Sequence, residues 1–125
     1  MRDVVTTSSA PAPIGPYSQA IRTEGFVFLS GQIAIDPKSQ ALVSGGITRQ
    51  TKQVLHNIAN LLHAAGTMPE KIVRCVVYLQ DIEDFGKMNE VYGEFFPGDP
   101  PARTTIAVSG LPKRALVEIE VTALV

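Results

Sequence analysis

The chain has 125 residues, 45% of them apolar, with a formal net charge of −1. This is one domain's length with enough apolar material for a core, so a single domain over 1–125 is expected. A pI near 6.1 leaves no electrostatic footprint for nucleic acid, where a pI above about 9 is usual, and no basic run exists to hold an anionic membrane.

Met1 to Pro16 lacks the apolar core of a secretory signal. The segment Ser8-Ser9-Ala10-Pro11-Ala12-Pro13 cannot continue a sheet ladder, because proline has no N–H, and reads as an extended surface loop ending at Gly15-Pro16. A short strand at Val4 to Thr6 is an optional addition. Tyr17 to Arg22 and Phe26 to Ile33 read as strands joined by the turn Thr23-Glu24-Gly25, and Asp36 to Gln40 as a second turn. After Gly45-Gly46, the residues Val54, Leu55, Ile58, Leu61, Leu62 and Ala65 fall at helical spacing, and Gly66 is a natural stop. Ile72 to Leu79 is nearly all apolar and β-branched, a buried central strand. It holds the one cysteine, Cys75, which reads as an inert core thiol and excludes an intramolecular disulfide, as suits a reducing compartment. A second helix follows Asp84, a cap candidate, with a stripe of Phe85, Met88, Val91, Tyr92, Phe95 and Phe96 that ends before Gly98-Asp99-Pro100-Pro101. Arg103 to Ser109 and Ala115 to Val125 are the last strands, joined by a turn around Leu111-Pro112-Lys113. No stretch approaches the roughly 20 apolar residues that span a bilayer. A cytoplasmic protein with no membrane partner is expected.

The order β-β-α-β-α-β-β predicts an α+β two-layer sandwich, with both helices on one face of a mixed sheet. In the last strand, Val117, Ile119, Val121, Ala123 and Val125 suit the helix layer, while Leu116, Glu118, Glu120, Thr122 and Leu124 point away. An uncovered face carrying apolar groups is a subunit interface more often than a solvent surface.

The candidate chemistry is sparse. Arg103 follows the stiff Pro100-Pro101-Ala102 and offers a rigid fork to a carboxylate or phosphate; a solvated strand-end arginine is the alternative. Glu118 and Glu120 share a face and could orient a water or move a proton, or be ordinary surface glutamates. Tyr17 could wall a pocket or simply pack. Gly31, within Ser30-Gly31-Gln32, permits close approach by a ligand or backbone, or marks a bulge. His56 and His63 lie about 10 Å apart along a helix, too far to share a metal. No nucleotide-binding loop or nucleophile triad is present.

Several motifs, in order and with spacing intact from about Ala10 to the C-terminus, resemble the Rid (YjgF/UK114) family. They are Ala12-Pro13-Ile14-Gly15-Pro16-Tyr17-Ser18-Gln19, Leu29-Ser30-Gly31-Gln32-Ile33, Asp84-Phe85 with Asn89 and Tyr92, Pro101-Ala102-Arg103, and Leu111-Pro112 ahead of Val117-Glu118-Ile119-Glu120. The resemblance implies a chorismate-mutase-like fold and a homotrimer around a central barrel, with ligand sites in the clefts between subunits. It implies hydrolysis of 2-imino acids, made by dehydratases that use pyridoxal phosphate, to 2-oxo acids and ammonia. A non-catalytic trimer binding small carboxylates and an endoribonuclease or translation inhibitor are the alternatives. By resemblance, Arg103 grips the substrate carboxylate and Glu118 positions the water. Tyr17, Ser30, Gly31, Phe85, Asn89 and Thr105 line or border the pocket. Many members carry a cysteine where this chain has Thr105, so thiol regulation at that site is not expected. No metal or organic cofactor is needed.

Overall fold

The computed structural model describes residues 1–125. In chain order its main elements are β1 (Asp3–Val5), β2 (Ala20–Arg22), β3 (Phe26–Leu29), β4 (Ile35–Asp36), β5 (Ala41–Leu42), α1 (Gly46–Ala64), β6 (Ile72–Leu79), α2 (Phe85–Phe95), β7 (Ala102–Ala107) and β8 (Val117–Leu124). Six strands form one sheet in the order β1-β2-β3-β8-β6-β7, and β4 and β5 form a separate hairpin. The β6–β7 pair, bridged by α2, is parallel, and the other neighbours are antiparallel. The sheet is therefore mixed, and α1 and α2 share one core with its buried side. This is the α+β two-layer arrangement the sequence predicts.

The core forms where the two periodicities meet. On β8, Val117, Ile119, Val121 and Ala123 are buried, against Val54, Ile58, Leu61 and Leu62 of α1 and Met88 of α2. Each of the Val, Leu, Ile and Met side chains among these contributes about 1.5–3 kcal/mol on leaving water. Cys75 is buried on β6, and burial pushes its thiol pKa up, which keeps it protonated and unreactive as expected. Gly66, at φ +84°, ends α1 with its N–H on the His63 carbonyl.

Several boundaries differ from expectation. The second strand starts at Ala20 rather than Tyr17, and the third ends at Leu29 rather than Ile33. Ser30 donates its backbone N–H to Gln19, and Gln32 makes an isolated bridge to Ile119, so the chain leaves the regular ladder just where Gly31 sits. The last two strands are shorter than read, and Val125 is exposed rather than in the core. Asp84 immediately precedes α2, but its side chain caps nothing; Asp81 instead accepts from Glu83 N and caps the short 3-10 turn that leads in.

The opposite sheet face is uncovered. Register places Val4, Ile21, Phe28 and Thr122 in one row across it, and Phe26 beside Leu124. Phe26 and Phe28 are 41% and 48% exposed, and their ring centroids lie 6.3 Å apart with the rings tilted 36° to one another. Aromatic groups wetted to this extent, on a face shared with Ile106 and Leu124, are the apolar patch that the alternation in β8 anticipates.

Candidate functional site

The residues singled out in the sequence fall into two groups. The first surrounds Glu118. The loop after β3 carries Ser30 and Gly31 past β8, and the Pro11–Tyr17 segment folds over from the other side. Together they form a cleft of about 60 Å³ lined by Tyr17, Gln19, Gly31, Gln32 and Glu118, among others. It opens onto a shallower one of about 300 Å³ with Ile14, Ser30 and Pro112. The inner part holds a few waters at most.

Gly31 has a specific reason here. A Cβ at this position would fall on Glu118 Oε2 and within 2.9 Å of its carboxyl carbon. Within this chain, the group that makes the close approach anticipated at Gly31 is the Glu118 side chain. Burial, and secondarily the charge of Glu120, hold the Glu118 carboxyl above the usual carboxylate range. Ser30 Oγ donates to the Ser18 carbonyl at 2.6 Å, so its proton is committed to the loop. The Tyr17 hydroxyl accepts from Ile14 N at 3.2 Å. Gln19 pins the segment, accepting from Thr7 N at 2.8 Å and donating to the Thr7 and Pro11 carbonyls at 3.0 and 2.8 Å.

The second group surrounds Arg103 at the β7 edge, on the helix side. Arg103 lies opposite Cys75 in the ladder, and its Nη1 donates to Asn89 Oδ1 at 2.8 Å. The guanidinium carbon sits 4.7 Å from the Tyr92 ring centroid and 5.5 Å from that of Phe85. Two aromatic faces and one amide therefore fix its plane while its remaining N–H groups stay open to a cleft shared with Asn89, Pro100 and Pro101. The solvated strand-end alternative does not describe this arginine. Tyr92 faces the Cys75 thiol, and desolvation raises its phenol pKa, yet its hydroxyl and that of Thr105 are buried without a hydrogen bond of ordinary geometry. The sequence placed Tyr92 in the apolar stripe of α2; its stacking under Arg103 was legible only in the spacing of Phe85, Asn89 and Tyr92, four and three residues apart on one helical face.

The two groups do not meet within one chain. Arg103 pairs alongside Cys75 on the helix side of the sheet, whereas Glu118 points to the uncovered side. Neither cleft contains both. His56 and His63 are exposed on α1. No helix is long and apolar enough to cross a membrane.

A family profile described as Endoribonuclease L-PSP matches residues 7–125. The chain belongs to the Rid (YjgF/UK114) family. A RutC family protein of Pyrococcus horikoshii is 52% identical over 123 residues, 98% of each chain. The Homo sapiens protein named 2-iminobutanoate/2-iminopropanoate deaminase is 44% identical over 124 residues, covering 99% of this chain and 90% of its own length. Among solved structures, a Rid-family protein of unknown function from Yersinia pestis superposes with a TM-score of 0.97 at 47% identity over the whole of both chains. E. coli TdcF, solved with bound serine, superposes with a TM-score of 0.94 at 33% identity, covering 98% of each chain. The Rid fold therefore accounts for the two-layer sandwich, and the Mus musculus and Rattus norvegicus relatives carry the same deaminase name as the human one.

Proposed function

We propose that this Rid protein is a 2-imino acid deaminase working as a homotrimer, in which Arg103 of one subunit and Glu118 of the next complete each site. The observation that carries the reading is the preset guanidinium: held by Asn89 and stacked between Tyr92 and Phe85, Arg103 keeps free N–H groups at an open cleft, the arrangement a small carboxylate needs. The half-sites lie on opposite faces of the sheet, and the uncovered face carries the apolar groups that association would bury. The relatives named as 2-iminobutanoate/2-iminopropanoate deaminases and the serine-bound neighbour support a ligand of amino-acid size.

The chemistry asked of these groups is modest. The imine carboxylate docks on Arg103, which fixes C2 in the cleft. Glu118, its proton affinity raised by burial, takes a proton from a water as that water attacks C2. The imine reacts in its protonated form, and Glu118 then hands its proton to the carbinolamine nitrogen. The hydroxyl gives its own proton back to Glu118 as the C–N bond breaks, and ammonia leaves, taking that proton as ammonium, with a 2-oxo acid remaining. Positioning plus a general base worth about 10² to 10⁴ in rate suffices, because imines already react with water. Removing the imine protects the pyridoxal-phosphate enzymes that such species damage. Tyr17, Ser30 and Gly31 shape the pocket walls around Glu118, while Thr105, with its hydroxyl buried, lines neither cleft. A formal net charge of −1 offers RNA no purchase.

The test couples an amino-acid oxidase or threonine dehydratase to the protein and follows imine disappearance, with wild type beside Arg103→Ala. The variant is expected to lose the acceleration; equal rates for the two would overturn the proposal.

A further inference from the structure

The Glu118 side of β8 holds a second acid that the mechanism leaves idle. Glu120 lies two residues on and points the same way. Across the ladder, Tyr78 of β6 is registered opposite Glu118, and Val76 opposite Glu120. The Tyr78 ring therefore stands beside one carboxylate while its hydroxyl reaches diagonally and donates a short hydrogen bond to Oε1 of the other. A phenyl ring would fill the same space on the sheet; what the tyrosine adds is that donated proton.

We propose that Tyr78 is a positioning residue that holds the Glu120 carboxylate on the cleft side of the sheet, so that its negative charge bears on Glu118, the group that takes the proton of the attacking water. This rests on the imine-deaminase reading. Glu118 is confined on its other flank by Gly31, so a charge fixed near it acts on one geometry rather than on an average of many. The Tyr78 hydroxyl keeps its proton across the working pH range, because the hydrogen bond to Glu120 raises its pKa, with burial adding to this. The charged and titratable groups facing the pair are few. Tyr78 and Arg74 come from β6, Arg74 donating to Thr104 Oγ1 at 3.2 Å. The N-terminal loop brings Tyr17. The loop after β3 brings only Ser30, Gly31 and Gln32, and β7 brings only Thr104 and Ile106 to this face. In the proposed trimer, Arg103 of the partner subunit is the facing cation.

Two readouts on the full chain test this. In protein with ¹³C-labelled glutamate carboxyls and no substrate, Tyr78→Phe should lower the Glu118 titration midpoint by about half a pH unit or more, since the fixed neighbouring charge is released. Glu120→Gln, which leaves the Tyr78 ring in place, should lower it as well, and the double variant should go no further than Glu120→Gln alone. In steady-state assays with an enzymatically generated imine, the ascending limb of kcat/KM should move down in pH with the midpoint, while KM changes less than about twofold because the Arg103 clamp is untouched. A Glu118 titration that superimposes on wild type in Tyr78→Phe, or shifts that add in the double variant, would overturn the proposal. A wild type inert toward imines would overturn the deaminase reading, and the substrate-free titration would still decide the pairing.

Discussion

If each site takes Arg103 from one subunit and Glu118 from the next, two dead variants should revive each other. Arg103→Ala and Glu118→Gln are each expected to fall by about 10² to 10⁴ in kcat/KM. Unfolded together in equal amounts and refolded, they form mixed rings. An active site then needs Arg103 from a Glu118→Gln chain and Glu118 from an Arg103→Ala chain, which random assembly around a head-to-tail ring supplies at about one quarter of the sites. The mixture should recover about a quarter of wild-type activity, far above either variant alone. The geometry behind this is the placement of the two side chains on opposite faces of one sheet, in clefts that share no wall. The assay is imine disappearance after co-refolding, with light scattering to confirm a mass about three times that of the chain. Activity in the mixture no higher than the mean of the two variants would refute the shared site.

Gly31→Ala should cost at least about 10² in kcat/KM, because the new methyl displaces the Glu118 carboxyl; unchanged kinetics in a folded variant would contradict the assigned role of that close approach. The raised Glu118 pKa means that the folded chain keeps that proton to higher pH than the unfolded chain does, so ionising Glu118 works against the fold. In an Arg103→Ala background, which removes the facing cation, Glu118→Gln should melt higher than its parent at neutral pH. That gap should close as pH drops below the ordinary carboxylate range, and a pH-independent gap in a thermal scan would count against the argument. Gln19→Ala removes the clasp on the N-terminal segment and leaves the Thr7 N–H without its acceptor. About 1–3 kcal/mol of stability should be lost, measured by urea unfolding, and proteolysis should cut first before Tyr17.

Much of this architecture is written in local pattern. Ile72–Leu79 was readable end to end as a strand from its β-branched and apolar run, but it is neither central nor buried on both sides. It lies next to the sheet edge, and only Ile72, Cys75, Val77 and Leu79, which face the helices, are buried. The first helix was readable because its apolar residues repeat at helical spacing between Gly46 and Gly66. The alternation in β8 gave both its faces correctly up to Leu124. The two-residue strands β4 and β5 were missed, since nothing that short has a period. The sheet order, with the last strand inserted between β3 and β6, is a product of long-range pairing that no window along the chain contains. For the same reason no local pattern showed that Arg103 and Glu118 lie on opposite sides of the sheet. Family motifs supplied the names of the site residues. The reason for Gly31, the stacking of Tyr92 and the reach of Tyr78 became visible only once the strands were in register.

The division of chemistry between two sheet faces has a consequence for how such a protein comes into service. On the proposed reading a freshly folded chain is inert, whatever its intactness, until it finds its neighbours. At low abundance, output would then rise more steeply than the amount of protein, and any lesion on the Phe26–Phe28 patch would silence catalysis from a distance.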